Sequence, residues 1–425
     1  MDTNTDIIVV KEGEILSKDF LRTYKGDIGK YFVKNYKDDT LVNLKVDFVG
    51  FLIQKNEYSI VSFPKNYYVS NDTVTKEDLN ILLKILENSN KLLSGSSDNL
   101  TEHTNFPYRA YKNVLLYYMN FGLYVEHEKK FNKNVNNKLN WQATMKYSNK
   151  IITKEANLIF LPFYSDENIK NLNLITESMI YVLNDGYLNF GKYFNQGEYL
   201  QNHNFGRIFG DIERVIAELN RLKFSTFKNS SRKLIDSLIL YLRWRGQKGN
   251  DIIFATQNFN LYWEFIVEKY LNNFFVFDEF NKKIKFEEHE ERESFNKIEH
   301  NIEVDNRQSR GFKVIFDHLC VDNENKKAFL FDSKYYNRIT GLDYKQFSYY
   351  FSLLDYLYRE YEIDGSSVSY NEYDIYNGLI IPSEEYREVI HLDTRNERQH
   401  EFLRSAFIVE FYLPIKDILK WYLGR

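Results

Sequence analysis

The sequence predicts a multidomain chain of the mixed α/β (α+β) class. It has a β-rich N-terminal domain, a helix-dominated middle region, and a C-terminal domain whose mixed sheet is flanked by helices. Three observations predict this. At 425 residues the chain exceeds one core of roughly 100 to 200 residues. Hydrophobic residues make up 43% of it, with 34 Phe and 34 Tyr, so it has the material for a large interior. Its hydrophobic period also changes along the chain, from two, to three-and-four spacing, to an alternation of both. The expected domains are 1–110, which is β-rich, 111–245, which is helix-dominated, and 246–425.

The elements follow in order. Val42, Leu44, Val46 and Phe48 alternate, then Phe51 to Ile53 and Tyr58 to Phe63 flank a turn at Gln54 to Glu57, which predicts strands closed by Pro64. Lys76 to Leu93 carries Leu79, Ile81, Leu82, Ile85 and Leu86 at helical spacing. The polar Ser94 to Thr104 stretch is the expected linker. Tyr108 to Arg245 reads as mostly helical, interrupted by a strand-like Asn157 to Leu161 that Pro162 ends. Its last part, Arg214 to Lys248, holds nine Lys or Arg, among them Arg232, Lys233, Arg243 and Arg245, against two acids. That excess fits either a solvated helix face or a surface that contacts phosphates.

Asn258 to Phe275 is an expected helix with Trp263, Ile266, Val267, Tyr270 and Leu271 as its buried stripe. An acidic excursion spans Glu287 to Asp305, and its Glu287, Glu288, Glu290, Glu291 and Glu293 run reads as a solvent-exposed insertion. Beyond it come strand, turn, strand, a helix from Asp343 with Phe347, Tyr350, Phe351, Leu354 and Leu357 inward, the strand Tyr373 to Pro382, the strand Phe407 to Leu413 and a final helix.

Composition narrows the function classes. Five prolines and 18 glycines exclude collagen-like and proline-rich chains, and no apolar run reaches the roughly 18 to 20 residues of a membrane span. Met1 to Thr5 show no basic patch followed by an apolar segment, and Cys320 is the single cysteine, so a reducing, cytoplasmic location is expected. A net charge of -4 does not mark a stand-alone nucleic-acid binder; such contact is local or supplied by a partner. Gly186 to Tyr193 imitates a phosphate-binding loop, but Tyr193 replaces the hydroxyl residue that would bind Mg²⁺. His318 and Cys320 lack a third orienting group, and His300, His391 and His400 are too scattered for zinc.

The informative stretch is Phe312 to His318, a polar turn Asp322 to Lys327, then Ala328 to Tyr336. With the turn centred between Glu324 and Asn325, Asp317 and Asp332 fall opposite each other, roughly 4.5 to 5.5 Å apart at Cα. Alternation puts Asp332 and Lys334 on one face, Phe331 and Ser333 on the other. Two converging carboxylates call for a cation, and hard oxygen ligands favour Mg²⁺, with Mn²⁺ able to substitute. A metal with an adjacent ammonium suits phosphodiester hydrolysis.

Asp317, fourteen intervening residues, then Asp332-Ser333-Lys334 resembles the PD-(D/E)XK nuclease superfamily, with Phe316 where proline is common. The resemblance implies metal binding by Asp317, Asp332 and the Ser333 carbonyl, and action of Lys334 on the attacking water. It also implies assistance from Glu264, with Glu268 the alternative, and a substrate-facing helix start at Lys345-Gln346. Together with Trp263-Glu264, Phe48-Val49-Gly50-Phe51, Ser62 to Tyr67 and Asn140 to Met145, these residues resemble McrC-like and LlaJI-type restriction subunits. That family implies an endonuclease subunit acting on double-stranded DNA within a hetero-oligomer, beside a separate AAA+ GTPase or ATPase. The other readings are a non-catalytic subunit that stimulates the partner's nucleotide hydrolysis, and a stand-alone repair or mobile-element nuclease.

Overall fold

The computed structural model describes residues 7–17, 20, 27–37, 40–54, 58–69, 74–92, 107–133, 138–171, 173–194, 197–200, 210–247, 251–290, 292, 294–302, 312–339, 341, 344–361, 373–393 and 407–424. The expected linker 94–104 and His400 lie outside them. Contacts divide the chain into two units, Met1–Thr104 with Asp251–Arg425, and Asn105–Asn250. Among the described residues no helix is long and apolar enough to cross a membrane.

The N-terminal segment supplies β1 (Ile7–Lys11), β2 (Ile15–Ser17), β3 (Phe32–Lys37), β4 (Thr40–Val46), β5 (Val49–Gln54), β6 (Tyr58–Phe63) and helix α1 (Lys76–Leu92). β2, β4 and β3 form an antiparallel sheet.

The second unit begins with α2 (Tyr108–Phe121), β7 (Glu126–Lys133), α3 (Trp141–Tyr147), β8 (Asn149–Ile152), β9 (Leu158–Leu161) and β10 (Tyr164–Asn171). It continues with α4 (Leu174–Gly186), α5 (Ile212–Ser225) and α6 (Asn229–Gly246). Leu183, Val114, Leu238 and Tyr241 are among its buried residues. The imitation phosphate loop is helical here: α4 runs directly into a turn of π-helix, Tyr187–Gly191. Gly186 serves packing, since a Cβ there would sit 2.2 Å from the ring of Tyr111.

The chain then returns to the first unit with β11 (Asp251–Thr256), α7 (Phe259–Phe274), β12 (Phe275–Asp278), β13 (Lys283–Phe286) and β14 (Asn296–Ile302). After these come β15 (Phe312–Asp322), β16 (Lys327–Ser333), α8 (Tyr344–Tyr361), β17 (Asp374–Ser383), β18 (Arg387–Asp393), β19 (Phe407–Pro414) and α9 (Ile415–Gly424).

The expected separation of 1–110 from 246–425 does not hold, because β11 completes the N-terminal sheet in the order β1-β6-β5-β11. Gly50 makes that junction possible. It has φ +137°, opposite Ala255, and an added Cβ would lie 2.3 Å from the Phe254 carbonyl oxygen. Gly50→Ala therefore combines steric clash with a backbone angle that L side chains disfavour, and we expect a loss of about 2 kcal/mol or more. Denaturant melting of the full chain checks this; an unchanged first-unit transition would refute it.

The large sheet runs β14-β15-β16-β17-β19-β18. β14, β15 and β16 are antiparallel neighbours, while β16, β17 and β19 are parallel. The expected exposed run is exposed at Glu287, Glu288 and Glu290, and β14 begins after it at Asn296, where Ile298, Ile302 and the fully buried Phe295 dock. On α7 the buried residues include Tyr262, Trp263, Ile266, Val267 and Leu271, whereas Tyr270 is half-buried against Phe274 and Trp421. On α8 the inward residues are Tyr349, Tyr350, Leu353 and Leu357, with Phe351 exposed and Phe347 and Leu354 half-buried. This rotation follows from Gln346, which is buried and hydrogen-bonded to Asn377.

Candidate active site

The β15–β16 hairpin places the first two carboxylates. Its turn is held by Asp322, whose side chain accepts from the Asn325 backbone N–H at 3.0 Å and from the Asn325 amide at 2.8 Å. Asp322 pairs with Lys327, and the ladder runs through His318 opposite Phe331. One step further along the same register, Asp317 meets Asp332. The faces of β16 are as alternation requires: Phe331 packs against Phe275, Phe295 and Phe411, and Ser333 Oγ meets His318 Nε2 at 2.7 Å. The Ser333 side chain thus faces away from the Asp332 side.

β15 departs from strict alternation. Ile298 pairs with Phe316 while Asn296 pairs with Leu319, so β15 carries one extra residue opposite β14. Phe316 contacts Tyr349 and Tyr356 of α8, and Leu319 joins the same cluster. Alternation from Leu319 already puts Asp317 on that side, and the bulge lets Phe316 face it as well. Lys297 lies opposite the bulge.

The carboxyls of Asp317 and Asp332 are hydrogen-bonded to each other. Burial, that hydrogen bond, and the charges of Asp332 and Glu264 push the Asp317 pKa up to about 8, with Lys297 opposing. Lys334 Nζ lies 2.5 Å from Asp332 Oδ2, both side chains being almost wholly buried. Glu264 Oε1 receives the Lys297 ammonium at 2.5 Å. Glu264 rather than Glu268 takes this contact; Glu268 sits one turn on, 3.9 Å from Lys269 Nζ. Lys345 bonds Tyr349, and both sense the charge of Asp332.

The structure therefore gathers Glu264, Asp317, Asp332, Lys334 and Lys345, and adds Lys297 and Tyr349. Gln346 is placed otherwise than expected. Its side-chain amide donates to Asn377 Oδ1 and to the Gly378 carbonyl, and its own carbonyl accepts from Asn377 Nδ2 at 3.2 Å. These contacts tie the start of α8 to β17.

In the second unit, Arg245 is ion-paired to Asp185 at 3.3 Å, and Arg232 Nε donates to the Thr226 carbonyl at 2.5 Å. Both are committed to their own unit. Lys233 and Arg243 are exposed on the outer face of α6.

The donor set tests the metal. Among the described residues no three His, Cys, Asp or Glu side chains converge as a ready-made ligand cluster. Two carboxylates that must share a proton when pressed together, backed by one main-chain carbonyl, fit a small hard cation that retains waters and takes phosphate oxygens, as Mg²⁺ does. They do not fit zinc, which takes four protein ligands in structural sites and three in catalytic ones.

No family model matches the chain, and no curated protein matches it. Among solved structures it is similar to a chain of the refined half-complex from the tetradecameric assembly of Thermococcus gammatolerans McrB AAA+ hexamers with bound McrC. Identity there is 14%, coverage 99% of this chain and 99% of that one, and the TM-score 0.37. It is also similar to a chain of the cryo-EM structure of the Thermococcus gammatolerans McrBC complex, at 12% identity, 62% and 86% coverage, and a TM-score of 0.26.

Proposed function

We propose that this chain is the Mg²⁺-dependent DNA endonuclease subunit of an McrC-like, LlaJI-type restriction system, with a PD-(D/E)XK core built on the β14–β19 sheet. The observation that carries this reading is the convergence of Asp317, Asp332 and Lys334 in the register the motif requires, with Glu264 brought alongside by α7. Asp317, Asp332 and the Ser333 carbonyl are the residues that would hold the cation. When bound, it supplies a Lewis acid for a phosphoryl oxygen and acidifies a water.

The chain's own groups do the remainder. Lys334, held against Asp332, keeps its ammonium among buried carboxylates, where it can hydrogen-bond an attacking water and offset growing negative charge. Glu264 adds a second anionic wall that Lys297 keeps oriented. Lys345, exposed at the start of α8, is placed to meet a backbone phosphate of double-stranded DNA. The family resemblance supplies the rest of the proposal: an AAA+ GTPase or ATPase partner in a cytoplasmic hetero-oligomer that brings the DNA.

Plasmid cleavage tests it, with Mg²⁺ or EDTA, with and without the AAA+ protein encoded beside this gene. Mg²⁺-dependent linearisation that requires the partner is expected. No cutting under any of these conditions would sink the catalytic reading and leave the assembly-subunit alternative.

A further inference from the structure

The Ser62 to Tyr67 turn has no role in the chemistry above, yet it reaches the catalytic strand. Ladder pairing of β16 ends at Ser333, so Lys334 is the first residue beyond it, held on the sheet side by its N–H to the Ile380 carbonyl at 2.9 Å. The next residue, Tyr335, is buried. Its hydroxyl donates to Glu12 Oε2 at 2.7 Å and accepts from the Lys65 backbone N–H at 2.9 Å. Lys65 Nζ donates to the Tyr335 carbonyl at 3.2 Å and lies 4.5 Å from its ring centroid.

Asn66 completes the grip. Its amide nitrogen donates to the carbonyls of Asn337 at 3.2 Å and Pro382 at 2.7 Å, so it bridges the segment after Lys334 to the end of β17. Asn66 has φ +60°, a conformation Asn tolerates better than most residues and that aims its side chain at these carbonyls. Glu12 is tied to the same turn through its N–H to the Phe63 carbonyl at 2.9 Å. A neutral core would not need this: a buried carboxylate, an ammonium and an amide converge on Tyr335 and Asn337, just after Lys334, and on Pro382 of β17, and all three come from the turns that follow β1 and β6.

We infer that Glu12 and Lys65, through Tyr335, and Asn66, through the Tyr336–Asn337 backbone, form a latch of positioning residues that fixes Lys334 against the Asp317–Asp332 pair. This inference rests on the nuclease reading and extends it. The turns of the N-terminal sheet then help to position the site, and a change there reaches Lys334 through the hydrogen bonds made to Tyr335 and Asn337.

Two variants remove the latch without removing the site. Asn66→Gly deletes the amide at a φ that glycine adopts freely, and Tyr335→Phe deletes one hydroxyl and keeps the ring. Hydrogen–deuterium exchange on the full chain reads the Ser333–Asn337 segment directly. We expect its amides to exchange at least tenfold faster in both variants, with the β14–β15 amides unchanged. Single-turnover plasmid cleavage by the assembled complex should fall at least tenfold, with the half-saturating DNA concentration within twofold of wild type. Unchanged exchange in both variants, or faster exchange with full cleavage, overturns the latch alone. Equal cutting by wild type and Lys334→Ala overturns the nuclease reading and this inference with it.

Discussion

Asp332→Asn and Lys334→Met should each lower Mg²⁺-dependent plasmid cleavage by about a thousandfold or more, while the protein still folds and still joins its partner. A thousandfold corresponds to about 4 kcal/mol of transition-state stabilisation, within reach of one removed electrostatic group in a preorganised site. Asp332 touches both neighbours that matter, hydrogen-bonding the Asp317 carboxyl and pairing with Lys334. Asn keeps its shape and removes the charge that a cation and Lys334 both require. Met keeps the apolar stem of Lys334, so packing beside β17 is retained while the ammonium is lost. Because the groups act as a unit, the double variant should be little slower than either single one. Residual cutting within tenfold of wild type, from protein with wild-type circular dichroism, would remove Asp332 and Lys334 from the reaction.

How far the site could be read from sequence depended on the range of the interaction. The hairpin was legible because its turn and register are local: Asp322 and Asn325 fix the turn, and a period of two carries the pairing back to Asp317 and Asp332. Glu264 was legible as the acid bordering a helical apolar stripe. Lys297 was not, since the acidic residues before it masked the onset of β14, and the β14–β15 bulge opposite it leaves no trace in the pattern of polar and apolar residues. The phase of α8 was missed for a related reason. Aromatic residues occupy both sides of that helix, and the choice between them is made by the tie from Gln346 to Asn377, a contact across the fold. The joining of the two chain ends was invisible for the same cause: β11 finds β5 only across an intervening unit, at a place where Gly50 lets two backbones close.

The shared proton of the acidic pair should make metal binding and stability depend on pH in opposite senses. Without metal, the Asp317 pKa is raised to about 8, first by burial, then by the hydrogen bond its proton donates to Asp332 and by the charge of that carboxylate. A carboxyl raised in the folded state binds its proton more tightly there than in the unfolded chain. Its contribution to stability is therefore full below the unfolded value near 3.9 and is lost as pH rises through about 8. The metal-free first unit should accordingly melt at a lower temperature at pH 8.5 than at pH 6, and Asp332→Asn should flatten that difference. A divalent cation must displace the same proton, so Mn²⁺ affinity should climb by up to tenfold per pH unit below about pH 8 and level off above it. At a hundred times the dissociation constant, the bound ion would add about 2.7 kcal/mol to the stability of the folded unit, most visibly where the free pair is least stable. Calorimetric titration of Mn²⁺ at pH 6.5, in two buffers of different ionisation enthalpy, should register close to one proton released per ion bound. Binding that ignores pH, or releases no proton, would show that the cation does not sit between Asp317 and Asp332.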